Sequence, residues 1–151
     1  MKQLTTLFTP VTIGTMELKN RIAMAPMATD FAEGDGTVSD RMIDYYEARA
    51  RGGVGLIILE VCTIDGNAPY IPRTVGIWDD SFIPGLKRLA DAVHAHGARI
   101  IPQIAHPGPE SLGPLFTGTE AVGPSAGIVN NLTRMKCRGL SAVEIPGIVG
   151  Q

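Results

Sequence analysis

Gln103 is the residue whose chemistry stands out first. It lies in "ARIIPQIAH", an otherwise apolar run, where a primary amide is costly to bury unless its polar atoms are matched. Its one acceptor and two donors suit a flat ring edge on which N–H and C=O alternate. A Gln satisfied by backbone alone is the competing reading. A second group is "APMATD", residues 25–30, which closes the apolar stretch that begins at Asn20. Pro26 has a fixed φ and no N–H, so it holds this step rigid and lets a flat group approach the backbone. Ala25, Ala28 and Thr29 leave room for such a group, and Met27 offers a polarizable wall. A strand end chosen only for packing would look similar. His106, just past the same run as Gln103, suits donation to an anion or proton transfer, or a structural role in a loop.

Other chemistry-bearing residues carry less. Cys62 has no basic neighbour or partner His and reads as a small buried hydrophobe. Glu60 and Asp65 lie near the end of the run at 55–61, but nothing pairs them with a second catalytic carboxylate. His94 and His96 are two apart, a poor metal pair, and read as surface residues. No GxGxxG, P-loop or GxSxG motif occurs, and "GGVG" at 52–55 runs from helix to strand, the wrong order for a phosphate cradle. The net charge of −2 gives no case for nucleic acid or an anionic membrane surface, and no apolar run reaches the ~18 residues of a membrane span. Cys62 and Cys137 show no metal spacing. A reduced, cytoplasmic protein acting on a small molecule is the expectation.

The elements that must hold these residues alternate. "VTIGTMELKN" reads as two short strands around Gly14-Thr15, and "RIAMAPM" as a strand. Ser39 is placed to cap a helix over "DRMIDYYEARAR", with Ile43, Tyr46 and Ala50 on its inner face and Gly52-Gly53 at its end. "GLIILEV", residues 55–61, is apolar enough to be buried on both faces, as in a parallel sheet. Asp80 or Ser81 caps a second helix whose inner stripe is Ile83, Leu86, Leu89 and Val93, closed by Gly97. Residues 98–105 form another strand, a Gly- and Pro-rich loop runs from His106 to about Gly139, and "LSAVEIPGIVGQ" starts a third helical pattern. Repeated strand–helix alternation means parallel strands with right-handed crossovers, the opening of a doubly wound sheet or a barrel. In either, ligands gather at the carboxyl ends of the strands, where "APMATD", "EVCTIDG" and "PQIAHPG" all fall.

Taken together and in this order, those stretches resemble the N-terminal part of the old yellow enzyme family of FMN-dependent oxidoreductases. "LFTPVTIGTMELKNRIAMAPM", "DGTVSDRMIDYYEARARGGVGLIILE" and "DDSFIPGLKRLADAVHAHGARIIPQIAHPG" carry the likeness, which covers residues 7–151. Within the family the chain is similar to the large NADH:flavin oxidoreductases of the 2,4-dienoyl-CoA reductase and aryl-CoA reductase type. The resemblance implies an α/β fold, a (β/α)8 TIM barrel with FMN across its C-terminal mouth. It also implies hydride transfer from NAD(P)H through FMN to an activated C=C bond, such as that of an enoyl- or aryl-CoA thioester. Ala25, Pro26 and Met27 match the segment that packs along the isoalloxazine, and Gln103 matches the Gln that bonds its pyrimidine edge. Val61 falls where the family carries a small residue beside the flavin. Ala28 stands where relatives carry a flavin-tuning Cys or Thr. "HPGPES" replaces the usual "HAGR", so Pro109 stands where an Arg is expected.

A complete barrel takes about 250 residues and eight strands. Residues 1–151 are therefore expected to be a partial FMN-binding barrel domain that stops in its third helix, inactive by itself. The family's substrate-anchoring His pair (or His/Asn) and its Tyr acid lie on a later strand, and any 4Fe-4S or FAD module would lie downstream. Homo-oligomerisation is left open. A non-catalytic half-barrel that serves as an interaction module, or a barrel enzyme without flavin, are the alternative readings.

Overall fold

The apolar run Leu56–Thr63 (β4) is the strand on which the fold is arranged. In the computed structural model, which describes residues 4–151, β4 has parallel neighbours on both edges. Ala23–Met24 (β3) pairs with its start and Val75–Gly76 (β5) with its end. Arg99–Ala105 (β6) runs along its other edge from Leu56 to Thr63. A separate antiparallel hairpin of Val11–Ile13 (β1) and Met16–Leu18 (β2) precedes them, as the Gly14-Thr15 turn predicts.

Two helices connect these strands. Asp40–Arg51 (α1) starts at Ser39, whose hydroxyl accepts from the Met42 N–H at 3.1 Å and donates to the Phe31 carbonyl. Ser39 is buried, so both bonds are sheltered from competing water. Ser39→Ala is expected to lower stability by about 1–2 kcal/mol in chemical denaturation, the upper part of the range for an N-cap. A loss under ~0.3 kcal/mol would mean that the cap is redundant. Ile83–His94 (α2) follows a 3-10 turn, Asp80–Phe82, and Pro84 sits in its first turn.

Both helices cover the same face of the sheet. Met42, Tyr46 and Ala50 of α1 and Leu89 and Val93 of α2 pack with Ile57, Leu59 and Cys62 of β4 in one buried cluster. The opposite face is far more open: Ile58 and Val61 are half-buried, and Ile101 and Gln103 are exposed. Chain order β3, β4, β6 is also spatial order, with both crossover helices on one side. A doubly wound sheet reverses direction and covers both faces; this arrangement is the early part of a closed (β/α)8 barrel.

Asn20 fixes where the first barrel strand enters. Its side chain donates to the Gly53 carbonyl at 2.8 Å and accepts from the Ile22 N–H at 3.0 Å. A Cβ at Gly55 would stand 2.5 Å from the Asn20 Oδ1, so the turn into β4 requires glycine there.

The structure differs from the sequence expectation in several places. Only Ala23–Met24 of "RIAMAPM" is paired, because the chain leaves the ladder at Ala25. Neither Asp80 nor Ser81 caps the second helix: Asp79 caps the 3-10 turn that leads into it, accepting from the Ser81 N–H, and α2 itself starts after Phe82 with no side-chain cap. Ile83 is exposed, being the first residue of α2, where the helix has not yet met the sheet. The loop from His106 holds a short helix, Gly113–Phe116 (α3), and a parallel pair, Val122–Gly123 (β7) with Arg138–Gly139 (β8). The last helix, Ile145–Val149 (α4), has five residues.

Candidate functional site

The register of β4 against β6 decides which side chains share a face. Ile58 stands beside Ile101, Leu59 beside Pro102, Val61 beside Gln103 and Cys62 beside Ile104, with an irregularity between Leu59 and Val61. Side chains alternate along β6, so Ile101 and Gln103 share one face and Pro102 and Ile104 the other. On β4, therefore, Ile58 and Val61 lie on the open face although they are three positions apart. Glu60 is the extra residue of a β-bulge, a device that re-aims the side chains beyond it. Without it, Val61 would point at the helices.

The chain beyond Met24 meets the same place. Met24 is paired with Ile57 and packs on the helix-covered core, so one further step of alternation turns Ala25 to the open face. Ala25, Met27 and Ala28 are exposed and Pro26 is half-buried. The step ends at Thr29, whose N–H and hydroxyl both donate to the Glu60 carboxylate, at 2.7 and 2.6 Å. Asp30 then takes a left-handed φ of 59° and accepts from the Arg73 N–H at 2.9 Å. The core strand thus breaks off because its continuation is bonded to the inside of its neighbour and displaced from the ladder by it.

Glu60 is the residue that sequence reasoning passed over. It is 1% exposed, and besides Thr29 it accepts from the Tyr46 hydroxyl at 3.1 Å, while its own N–H donates to that hydroxyl at 3.3 Å. A lone glutamate amid "LIILEVC" was the available signal, because a buried carboxylate requires converging donors.

Gln103 does not meet the expectation of a buried amide. It is exposed on the open face, and its side chain has no hydrogen-bond partner among the described residues. His106 stands apart from the open face: its Nδ1 accepts from the Gly108 N–H at 3.0 Å and its Nε2 is 3.9 Å from Asp65. Both line a cavity of about 350 Å³ beneath the 106–139 segment. Arg138 also lines it but is engaged by Glu144 at 2.8 Å and Glu120 at 3.5 Å. Pro109 is packed against Gly123, where a Cβ would meet it at 2.8 Å. Cys62 is buried, and burial first, then the Glu60 charge, push its thiol up to about 12, so it is no nucleophile. His96 is half-buried and bonded to Glu47 at 2.9 Å, not a free surface residue.

Parallel strands in sequential order, with both crossover helices on one face, define the opening part of an α/β-barrel protein. Residues 6–150 match the NADH:flavin oxidoreductase / NADH oxidase family, and the chain belongs to it, in agreement with the old yellow enzyme resemblance. It is 46% identical over 120 residues to an NADH oxidase of Thermoanaerobacter brockii, covering 79% of this chain and 18% of that protein. A metal reductase of Desulforamulus reducens is 48% identical over 121 residues, 79% of this chain and 17% of that one. Among solved structures, a 2-naphthoyl-CoA reductase complexed with 2-naphthoyl-CoA superposes with a TM-score of 0.89 at 30% identity, over 97% of this chain and 24% of that chain. An old yellow enzyme homologue of Zymomonas mobilis gives 0.83 at 31%, over 96% and 42%. The chain thus spans under a fifth of the length of these two curated relatives.

Proposed function

We propose that residues 1–151 form part of an FMN-binding barrel domain in an NAD(P)H-dependent oxidoreductase, contributing its first strand tips to the flavin site. The observation that carries this reading is the register pair Val61–Gln103 on the open face, with Ala25 brought to the same face at the next strand. These residues fit an isoalloxazine. The 25–28 step presents backbone and small side chains to one side of a flat ring, Val61 supplies an apolar contact, and the unpartnered amide of Gln103 matches a pyrimidine edge. Met27, 64% exposed, has room to lie along the ring. Thr29 is turned away to Glu60 and serves the shape of the step. His106, held by Gly108 and Asp65, belongs to the loop wall.

When bound, FMN supplies the relay of a hydride from NAD(P)H to an activated C=C bond. This chain's residues orient the ring and exclude water from one side of it. The superposition on a naphthoyl-CoA reductase favours an aryl- or enoyl-CoA thioester as the substrate. The greater length of the relatives leaves room for 4Fe-4S and FAD modules elsewhere in the protein. Two buried, unpaired cysteines, Cys62 and Cys137, favour a reducing, cytoplasmic setting.

The test uses the product of the complete reading frame that contains these residues. The purified protein is expected to bind FMN, and Gln103→Leu to weaken binding about tenfold, the loss of one or two hydrogen bonds to a polar ring edge. A protein that stays colourless and takes up no added FMN overturns the reading. Unchanged affinity in Gln103→Leu removes that residue from it.

A further inference from the structure

We propose that Glu60 is a positioning residue for the flavin site: its buried carboxylate ties Thr29 to β4, and its place in the bulge turns Val61 toward Gln103. The inference rests on the reading of residues 25–28, Val61 and Gln103 as flavin contacts, and concerns a residue that touches none of the reacting atoms.

Two observations converge on this one position. The first is the hydrogen-bond set. Three donors aim at the carboxylate: the Thr29 N–H on Oε2 at 2.7 Å, and on Oε1 the hydroxyls of Thr29 at 2.6 Å and Tyr46 at 3.1 Å. A carboxylate is acceptor-only and takes all three without conflict. Because Tyr46 belongs to α1 and Thr29 to the step beyond β3, the bonds lock the step between sheet and helix. β3 itself contributes only two paired residues, so this clamp replaces the ladder that the chain abandons at Ala25.

The second is the register shift. Leu59 and Glu60 both lie on the helix-covered side, Leu59 in the core cluster and Glu60 against Tyr46. That spends two consecutive residues on one face, and the next residue, Val61, emerges on the face of Gln103. The same bulge therefore supplies the buried anchor for one flavin-facing segment and sets the direction of the other. A positional error of about 1 Å in such supports is enough to reduce the function of a site strongly.

The experiment compares four variants in the product of the complete reading frame, reading the FMN dissociation constant, amide hydrogen exchange over residues 25–30 and thermal unfolding. Glu60→Met removes every acceptor and is expected to raise the FMN Kd at least about tenfold while residues 25–30 lose exchange protection selectively. Glu60→Gln keeps a carbonyl oxygen for the Thr29 N–H and turns its amide N–H groups to hydroxyls able to rotate and accept, so it is expected to restore most of the affinity. Leu89→Ala, in the core on α2 and outside the Glu60 hydrogen-bond set, is expected to lower the unfolding temperature while changing the FMN Kd less than about twofold. Thr29→Val loses only the hydroxyl bond and carries the same test with a smaller effect should Glu60→Met not fold.

Wild-type affinity in Glu60→Met, or an equal loss of affinity in Leu89→Ala, overturns the proposal, as does unchanged exchange in Thr29→Val. A wild-type protein that binds no FMN refutes the flavin reading instead. Exchange then decides the clamp by itself: selective deprotection of residues 25–30 in the Glu60 and Thr29 variants upholds it, and uniform deprotection overturns it.

Discussion

Tyr46→Ala is expected to lower the stability of the barrel segment by about 4 kcal/mol or more, enough to consume much of the stability of an ordinary domain. Tyr46 is fully buried at the centre of the core cluster, with Met42 and Ala50 beside it on α1. Truncating an aromatic side chain there costs about 3–5 kcal/mol through lost burial and the cavity left behind. The change also takes one of the three donors from the buried Glu60 carboxylate and leaves the Glu60 N–H without its acceptor, adding to the loss. Tyr46→Phe separates the two effects. It keeps the ring and is expected to cost about 1–3 kcal/mol, the value of the hydrogen bonds to a charged group. Urea denaturation of both variants, followed by circular dichroism, measures each term. A Tyr46→Phe protein as stable as wild type would show that the Glu60 network adds nothing to folding.

The same hydroxyl gives a pH dependence of known sign. Burial first, and the Glu60 charge second, raise the Tyr46 pKa well above its ordinary 10.0. A group whose folded pKa is raised brings stability that is complete below its unfolded pKa and lost as pH rises past it. The contribution of Tyr46 is therefore intact through neutral pH and declines only above about pH 10.

Elements with strong local signals were legible in the sequence. Ser39 caps α1 as its residue type predicts, and the largely apolar Leu56–Thr63 is the central parallel strand. The stripe Leu86, Leu89 and Val93 faces the core, and Gly97 takes the left-handed φ of 68° that a helix end favours. Elements defined by pairing between distant segments were not. Val75–Gly76 is two residues long and becomes a strand only because β3 vacates that edge of β4. Nothing in "RTVGIWDD" signals it. The bulge was hidden for a related reason: a strand that is apolar on both faces has no alternation to show a change of phase. Glu60 was the one polar mark at that point, and its partners, Thr29 and Tyr46, lie 31 and 14 residues away. Gln103 was legible as a residue type, but its exposure was not, since burial is set by packing between segments distant in sequence.

The largest effect on behaviour in solution belongs to the free side of β6. Among the described residues β6 pairs only with β4, and along it Ile101 is 37% and Ile104 68% exposed. An open strand edge with apolar side chains is a template for pairing with another chain. A polypeptide limited to residues 1–151 is therefore expected to self-associate broadly and to retain no FMN. Ile104→Lys is expected to shift it toward monomer, since covering that side chain is worth about 1–2 kcal/mol and a lysine at an edge opposes strand addition. Ile104 lies on the face opposite Gln103, so the change does not touch the residues assigned to the ring. Light scattering with visible absorbance reads both quantities. Broad association without colour, relieved by Ile104→Lys, means that the edge belongs to further strands of one barrel. A single sharp oligomer, equally without flavin and disrupted by the same lysine, would mean that this edge is a finished interface, and would favour the interaction-module reading over the oxidoreductase.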